Sequence, residues 1–148
     1  MEEVKYIPGD LITSEKNPNT IWKIEEVIPN KYWGALYKTV DARNNIYCTN
    51  LYKYQVVPIP LTLEILEKNG WKKKVMSRRI LNSHWVYTKP DIEEYGYFPI
   101  YIEKGIGKEF DVYPFTHNNS CTQITYIKYV HELQHLLFGL GLNSEMEV

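Results

Sequence analysis

The segment His131-Glu132-Leu133-Gln134-His135 has residue types and a spacing that could carry hydrolytic chemistry. On a helix, residues four apart lie on the same face, so His131 and His135 could bind one zinc ion. Glu132 would then lie beside the metal-bound water and could act as its general base. Taken alone, the segment predicts a zinc-dependent hydrolase with Glu132 as catalytic residue and zinc as cofactor.

A solvated or locally paired histidine face is the alternative. A catalytic zinc site needs three protein ligands, and no familiar spacing supplies the third one here. Phe138 stands where the extended zinc-protease motif has a glycine, and no histidine follows His135. At 100° per residue, the two histidines lie with Lys128 and Glu132, nearly opposite the apolar side of the predicted helix. A polar face opposite the core is typical of a surface helix and requires no cofactor.

A second candidate site is basic. Residues 71–79 contain five basic and no acidic side chains. Such a segment could contact phosphates while neighbouring indole rings stack on bases. The alternative is a charged edge strand, because lysines discourage pairing between sheet edges. The candidate residues for binding a nucleic acid, a nucleotide or another partner are Trp71, Lys72, Lys73, Lys74, Arg78, Arg79 and Trp85.

The composition bounds both hypotheses. The chain has 148 residues, of which 44% are hydrophobic and 24% charged, values typical of a globular protein of one ordinary or two very small domains. A net charge of −1 argues against a protein whose main work is to neutralise phosphates. The 13 tyrosines are the unusual feature. Tyrosine packs well in half-buried strands and is also enriched at protein interfaces, so part of the excess indicates a surface that binds a partner.

The N-terminal residues and the apolar runs indicate the compartment. Residues 1–5 are acidic and lack the apolar stretch of a signal peptide, and no run approaches 18 apolar residues. We therefore expect a cytoplasmic protein without membrane contact. Cys48 and Cys121 are expected to stay reduced.

The first 60 residues show the pattern of a small β-barrel or a meander. Short runs rich in β-branched and aromatic residues alternate with polar turns, the first turn lying at Gly9-Asp10. Pro29 is expected to end the first long strand, because proline interrupts a sheet ladder. The predicted strands are 21–28, 32–40, 46–51 and 54–57.

The remaining chain is predicted to be a second module, 61–148, or the continuation of one domain. Thr62 is the expected N-cap of a short linking helix that ends at Asn69-Gly70. A C-terminal helix is expected from about 128 to 138, terminated by Gly139 and Gly141. Because no alternation of strands and helices appears, the fold class is α+β with an antiparallel sheet in this half. The strands expected there are 71–76, 83–87, 97–103, 109–113 and a last one from 123.

Two segments resemble a known group of sequences. Residues 58–71 match a P-I-P-L-T signature that continues to a leucine and a glycine–aromatic pair, and residues 127–136 match a Y-V-H-x-L-Q-x-L signature. Together they resemble a family of small uncharacterised proteins from Bacteroidota genomes, prophages and phages. The resemblance implies a phage or mobile-element origin, and it brings no established activity or functional residues.

Three functions therefore remain open from the sequence. The first is a non-enzymatic phage-derived protein that binds a host or phage macromolecule, with no cofactor and with countering of host defence as one version. The second is the zinc-dependent hydrolase of the H-E-x-x-H segment. The third is a binder of nucleic acid or a nucleotide through the basic segment.

Overall fold

The computed structural model describes residues 5–32, 34–75, 85–90, 100–105, 107, 109–114 and 125–148. Ten strands and two α-helices lie wholly within these ranges, and the protein is α+β as the sequence predicts. Contacts divide the chain into two compact units. The first contains Met1–Pro60 with Tyr129–Met146 and Val148, and the second contains Leu61–Lys128 with Glu147. The last helix of the chain therefore belongs to the same unit as the first strands.

The sheet of the first unit has five antiparallel strands in the order β4-β3-β2-β1-β5. The strands β1 to β4 form a meander, and β5 pairs with the other side of β1. Among the described residues no pairing joins β4 to β5, so the sheet is open; of the two expected alternatives, a small barrel or a meander, the closed barrel is not formed. The strands are β1 (Leu11–Ser14), β2 (Trp22–Asn30), β3 (Gly34–Asp41), β4 (Cys48–Tyr52) and β5 (Val56–Pro58).

The prediction that Pro29 ends its strand is wrong. The strand β2 continues to Asn30, and Pro29 lies opposite Ala35 of β3. The reason is that β1 pairs with β2 only at Trp22 and Lys23. In the described part of the chain, the half of β2 that contains Pro29 therefore has no partner strand on the β1 side. Proline, which lacks a backbone N–H, is tolerated at such an edge.

The core of the first unit consists of large side chains from the sheet and from the segment before it. Burial of each such side chain stabilises the fold by roughly 1.5–3 kcal/mol relative to leaving it in water. These residues share the inner face because side chains alternate along each strand. The cluster contains Tyr6, Ile12, Trp22, Ile24, Tyr37 and Leu51.

The second unit begins with helix α1 (Leu63–Lys68). As predicted, Thr62 is its N-cap, and the Thr62 hydroxyl accepts a hydrogen bond from the Ile65 backbone N–H at 3.2 Å. Such a cap satisfies one of the unpaired N–H groups in the first turn. Gly70 ends the helix with a φ of +86°, a conformation that favours glycine.

The sheet of the second unit is also a five-stranded antiparallel one, in the order β10-β9-β8-β7-β6. Each strand pairs with the next along the chain, and the predicted strands 97–103 and 109–113 form a hairpin as β8 and β9, with Lys104 opposite Phe110. Pro99, within the predicted strand 97–103, lies outside the described residues. The strands are β6 (Lys72–Val75), β7 (Trp85–Thr88), β8 (Ile100–Lys104), β9 (Phe110–Pro114) and β10 (Thr125–Ile127).

Helix α2 (Val130–Gly139) returns the chain to the first unit. It ends in a Schellman motif: the Leu142 N–H donates to the Leu137 carbonyl at 2.8 Å, and the Gly141 N–H donates to the Phe138 carbonyl at 3.0 Å. Gly141 has a φ of +72°, as this motif requires. No helix in the described part of the chain is long and apolar enough to span a membrane.

Candidate functional site

The histidine face of α2 points partly into the first unit. His131 is 3% exposed and lies among the buried residues of the helix, so the expectation of a solvated face is wrong for this residue. Helical periodicity reports which residues share a face, but it does not report what covers that face. Here the covering elements come from the segment before β1 and from β1 itself, more than 100 positions earlier in the chain.

A tight turn places a carboxylate against α2. Residues Ile7 to Asp10 form a β-turn in which the Asp10 N–H donates to the Ile7 carbonyl at 3.1 Å. Pro8 and Gly9 are its central residues, and Gly9 has a φ of +96°, as the third position of a type II turn requires. The Asp10 carboxylate in turn accepts the Ile7 N–H at 2.9 Å, so the side chain is fixed by its own turn.

Asp10 and His135 form the central pair of the site. The His135 Nε2 atom lies 2.9 Å from Oδ1 and 2.8 Å from Oδ2 of Asp10. The Asp10 side chain is 2% exposed and the His135 side chain 32%, so the carboxylate is buried beneath a half-buried imidazole. Burial raises the pKa of Asp10, while the Ile7 N–H and the His135 ring act in the opposite direction. The sequence had identified Asp10 only as a turn residue.

His131 lies behind this pair, enclosed by rings. Its centroid is 4.8 Å from the Tyr6 ring, 5.8 Å from the Tyr129 ring and 5.5 Å from the His135 ring. Burial and the neighbouring His135 lower the pKa of His131 from 6.5 to about 4, so the ring is neutral at physiological pH. Its Nδ1 atom is buried, and the described residues provide no hydrogen-bond partner for it.

Gln134 joins three parts of the chain. Its Oε1 accepts the Leu11 N–H at 3.0 Å, and its Nε2 donates to the Gly9 carbonyl at 3.0 Å and to the Ser144 carbonyl at 3.2 Å. Gln134 is 4% exposed, and its side chain makes all three of these hydrogen bonds. It therefore fixes α2 to β1 and holds the turn that carries Asp10.

The zinc-hydrolase residues are used differently in this structure. Glu132 Oε1 accepts the Tyr129 backbone N–H at 3.0 Å, so the expected general base caps the start of α2. The Nε2 atom of His135 faces Asp10. In the described ranges, no group of three or more His, Cys, Asp or Glu side chains is arranged to hold a metal ion. The zinc site stays a prediction.

An open cavity of about 270 Å³ lies in front of His135. The turn Ile7–Asp10 forms one wall and α2 forms the other, with Phe138 and Ser144 at the margin. The Asp10–His135 pair is therefore accessible from the side of the imidazole. No local spacing in the sequence could have shown this arrangement, because its two walls are 125 residues apart.

The basic segment is divided by the structure. Lys72, Lys73 and Lys74 are all exposed on β6, the end strand of its sheet. Trp71 is 2% exposed, so its ring belongs to the core and cannot stack on a base. Trp85 lies in β7 opposite Val75, and its side chain is not among those described. Arg78, Arg79 and Cys121 lie outside the described residues.

A third surface was not located by the sequence. Four large hydrophobic side chains are exposed within nine residues around β4, an edge strand of the first sheet. The rings of Tyr52 and Tyr54 stack with centroids 5.8 Å apart and planes 3° apart. The tyrosine excess had indicated a binding surface, but not which of the tyrosines form it. This surface, the β4 edge patch, consists of Ile46, Tyr47, Tyr52 and Tyr54.

Comparisons extend these observations no further. No protein-family model, curated protein or solved structure matches the chain.

Proposed function

We propose that this chain is a non-enzymatic binding protein of phage or mobile-element origin, which acts in the host cytoplasm on a host or phage macromolecule. One version of this role is to counter host defence. The β4 edge patch is the observation that carries the proposal, and the occupant it fits is an extended segment of a partner protein.

The exposure of the patch supports a partner. Ile46 is 83% exposed, Tyr54 66% and Tyr47 62%, although all are large and apolar enough to belong in a core. Several large hydrophobic side chains exposed within a short stretch of chain indicate an interaction site. Tyrosine is enriched in such sites because it supplies a large contact area at a low cost in side-chain entropy.

The position of the patch on an edge strand indicates how the partner binds. The strand β4 pairs with β3 on one side, and in the described part of the chain no strand pairs with its other side. An unpaired strand edge is a template for an added strand, with main-chain hydrogen bonds providing affinity. The exposed rings at both ends of β4 would then hold side chains of the added strand.

The charge of the patch favours a protein over a nucleic acid. Residues 46–54 contain one charged side chain, Lys53. A surface that binds a phosphate backbone needs several cations, because the release of counterions supplies most of the affinity. A neutral aromatic surface gains its affinity instead from the burial of apolar area.

Affinity capture from host lysate tests the proposal, with the double variant Tyr47→Ser/Tyr54→Ser compared with the original chain. Truncation of an interface hot spot weakens the binding free energy by roughly 2–4 kcal/mol. The variant should therefore lose the partner while its circular dichroism spectrum stays unchanged. Tyr32→Ser is the matched control, since Tyr32 is 82% exposed in the same unit but outside the patch.

Nuclease treatment of the lysate separates the possible partners. A protein partner is retained after the treatment, and it is captured by the original chain and the Tyr32→Ser chain alike. Capture of identical proteins by the double variant would contradict the proposal. So would a partner that disappears with the nuclease.

A second candidate is a binder of nucleic acid or a nucleotide through β6. The observation in its favour is that three consecutive lysines are exposed, so both faces of this edge strand carry positive charge. It predicts binding to single-stranded oligonucleotides that weakens as salt rises and that falls further in Lys72→Ser/Lys73→Ser/Lys74→Ser. Binding that is unaffected by these three substitutions would exclude it.

A further inference from the structure

His135 lines the cavity of about 270 Å³, and among the described residues only one of its two ring nitrogens, Nε2, has a hydrogen-bond partner. The Asp10 carboxylate already accepts the Ile7 N–H, and both of its oxygens lie within 2.9 Å of His135 Nε2. An ionised carboxylate can only accept, so Nε2 carries the proton that Asp10 accepts. In the neutral form of the ring the Nδ1 atom therefore carries a lone pair, and no described residue donates a hydrogen bond to it. In that form the site offers a hydrogen-bond acceptor whose ring is held in place by Asp10.

The other lining groups determine what can lie beside this acceptor. Ile7, Pro8 and Phe138 supply apolar walls. Gln134 also lines the cavity, but its amide is already hydrogen-bonded to Gly9, Leu11 and Ser144. Apart from the Asp10–His135 pair, the lining residues are uncharged, and the Asp10 carboxylate is covered by the ring. With the ring in its neutral form, an anionic ligand finds no cation among the lining residues, and the ring covers the carboxylate that a cationic ligand would need.

The volume limits the size of the ligand. Cavities that hold drug-sized ligands measure about 300–1,000 Å³, and an engineered cavity of about 150 Å³ holds a benzene molecule. A cavity of about 270 Å³ therefore suits one ring or a branched group of similar size.

We propose that this cavity is a binding site for a small neutral molecule that joins an apolar ring to a hydroxyl group, the chemistry of a phenol. The hydroxyl donates to His135 Nδ1, and the ring lies against Ile7, Pro8 and Phe138. Asp10 is a positioning residue, because it fixes the imidazole and its tautomer without touching the ligand. The site is separate from the β4 edge patch and does not depend on the partner bound there.

Titration of the ¹⁵N-labelled protein with phenol tests the site, followed through the imidazole nitrogens of His135 and the backbone of α2. Phenol should produce saturable shifts that include Nδ1 of His135. Toluene has the same ring without the donor, so it should bind about fivefold more weakly, the fold-change that one neutral hydrogen bond supplies. Equal binding of phenol and toluene, or shifts that never saturate, would overturn the proposal.

Two substitutions at the exposed end of α2 locate the ring. Phe138 is 68% exposed and Leu140 46%, so neither replacement by alanine threatens the fold. Phe138→Ala removes a wall of the cavity and should weaken phenol binding several-fold, whereas Leu140→Ala leaves the lining intact and should not change it. Phenol binding that is equal in the two variants would place the ligand elsewhere and refute the site.

Discussion

The two edge strands β4 and β6 occupy the same topological position and have opposite chemistry. Each is the end strand of a five-stranded antiparallel sheet. The strand β6 begins with three exposed lysines, whereas β4 has no charged residue and is bordered by Tyr47 and Tyr54. Lysines on an edge prevent other chains from pairing with it, and an uncharged aromatic edge invites them. The comparison shows that composition alone does not predict which residues an edge strand exposes, since tyrosines and lysines occur throughout the chain.

Both units bury ionisable side chains, in different surroundings. In the first unit Asp10 and the neutral His131 are buried beside α2, while the His135 side chain stays 32% exposed. In the second unit Glu103 of β8 is 2% exposed, and the ring of Trp71 is buried next to the lysines of β6. We expect substitutions in either interior to change stability, and substitutions on the two edges to test the proposed binding.

The largest effect is expected at Trp71. Trp71→Ala should lower the free energy of unfolding by about 3–5 kcal/mol, because it removes a fully buried ring. Urea unfolding followed by circular dichroism measures the loss. Tyr126→Ala, at a residue 58% exposed in the same unit, is the control and should stay within about 0.5 kcal/mol. If Trp71→Ala kept its stability and lost only oligonucleotide binding, Trp71 would be a binding residue of the basic edge.

His131 should make the first unit sensitive to acid. Its pKa is about 4 when folded and 6.5 ordinarily, so between these pH values the unfolded chain binds a proton that the folded one does not. Stability therefore falls as the pH drops from 6.5 to 4, by about 2 kcal/mol at pH 5 relative to pH 8. Asp10 acts in the opposite direction, because burial raises its pKa and protonation favours the folded state.

The difference between the original chain and His131→Phe isolates this contribution. Phenylalanine fills the space among the rings and does not titrate, so the variant should lose less stability between pH 8 and pH 5. Urea midpoints at the two pH values measure the difference. An identical pH dependence in both chains would show that the folded protein takes up the His131 proton by pH 5, as the unfolded chain does.

The next effect concerns the β4 edge itself. Cys48→Lys/Asn50→Lys adds two charges at exposed positions of β4 and leaves the tyrosines in place. If the partner adds a strand to this edge, its affinity should fall by at least about tenfold, or 1.4 kcal/mol. Lys72→Asn/Lys74→Asn on β6 is the matched control and should leave capture unchanged. Full capture by the lysine variant would mean that the rings bind without strand pairing.

The smallest effect is expected when the lysines of β6 are removed. Lys72→Ser/Lys73→Ser/Lys74→Ser should change the free energy of unfolding by no more than about 0.5 kcal/mol, because exposed charges contribute little to stability. Without its charges the edge should pair with other chains, and sedimentation velocity should show self-association that increases with concentration. A variant that stays monomeric would show that these lysines do not protect the edge from pairing with other chains.

Local signals predicted much of the fold and little of the site. Thr62 as an N-cap and Gly141 as a helix terminator are recognisable because their chemistry acts on adjacent backbone. The pairing of Asp10 with His135 joins residues 125 positions apart, and no spacing rule connects them. The prediction that Pro29 ends its strand was wrong for a related reason. The strand β1 is too short to pair with the half of β2 that contains Pro29, and the residues around Pro29 do not show this.

The burial of His131 illustrates the same limit. A helical wheel placed it correctly beside Glu132 and His135, but it could not show that Tyr6 packs against that face. The β4 edge patch likewise depends on which strand lies last in the sheet, a property of the whole topology. The family resemblance, which rests on residues 58–71 and 127–136, stays a prediction.

The hydrogen bonds of Gln134 have a consequence for biosynthesis. They bind α2 to Gly9 and Leu11, so the first unit is completed by residues that a ribosome delivers only after residues 61–128 of the second unit. Until then the Asp10 carboxylate lacks its imidazole and β1 lacks its helix. A nascent chain interrupted before residue 130 would lack α2 and expose the apolar surface that this helix covers, which makes it prone to aggregation.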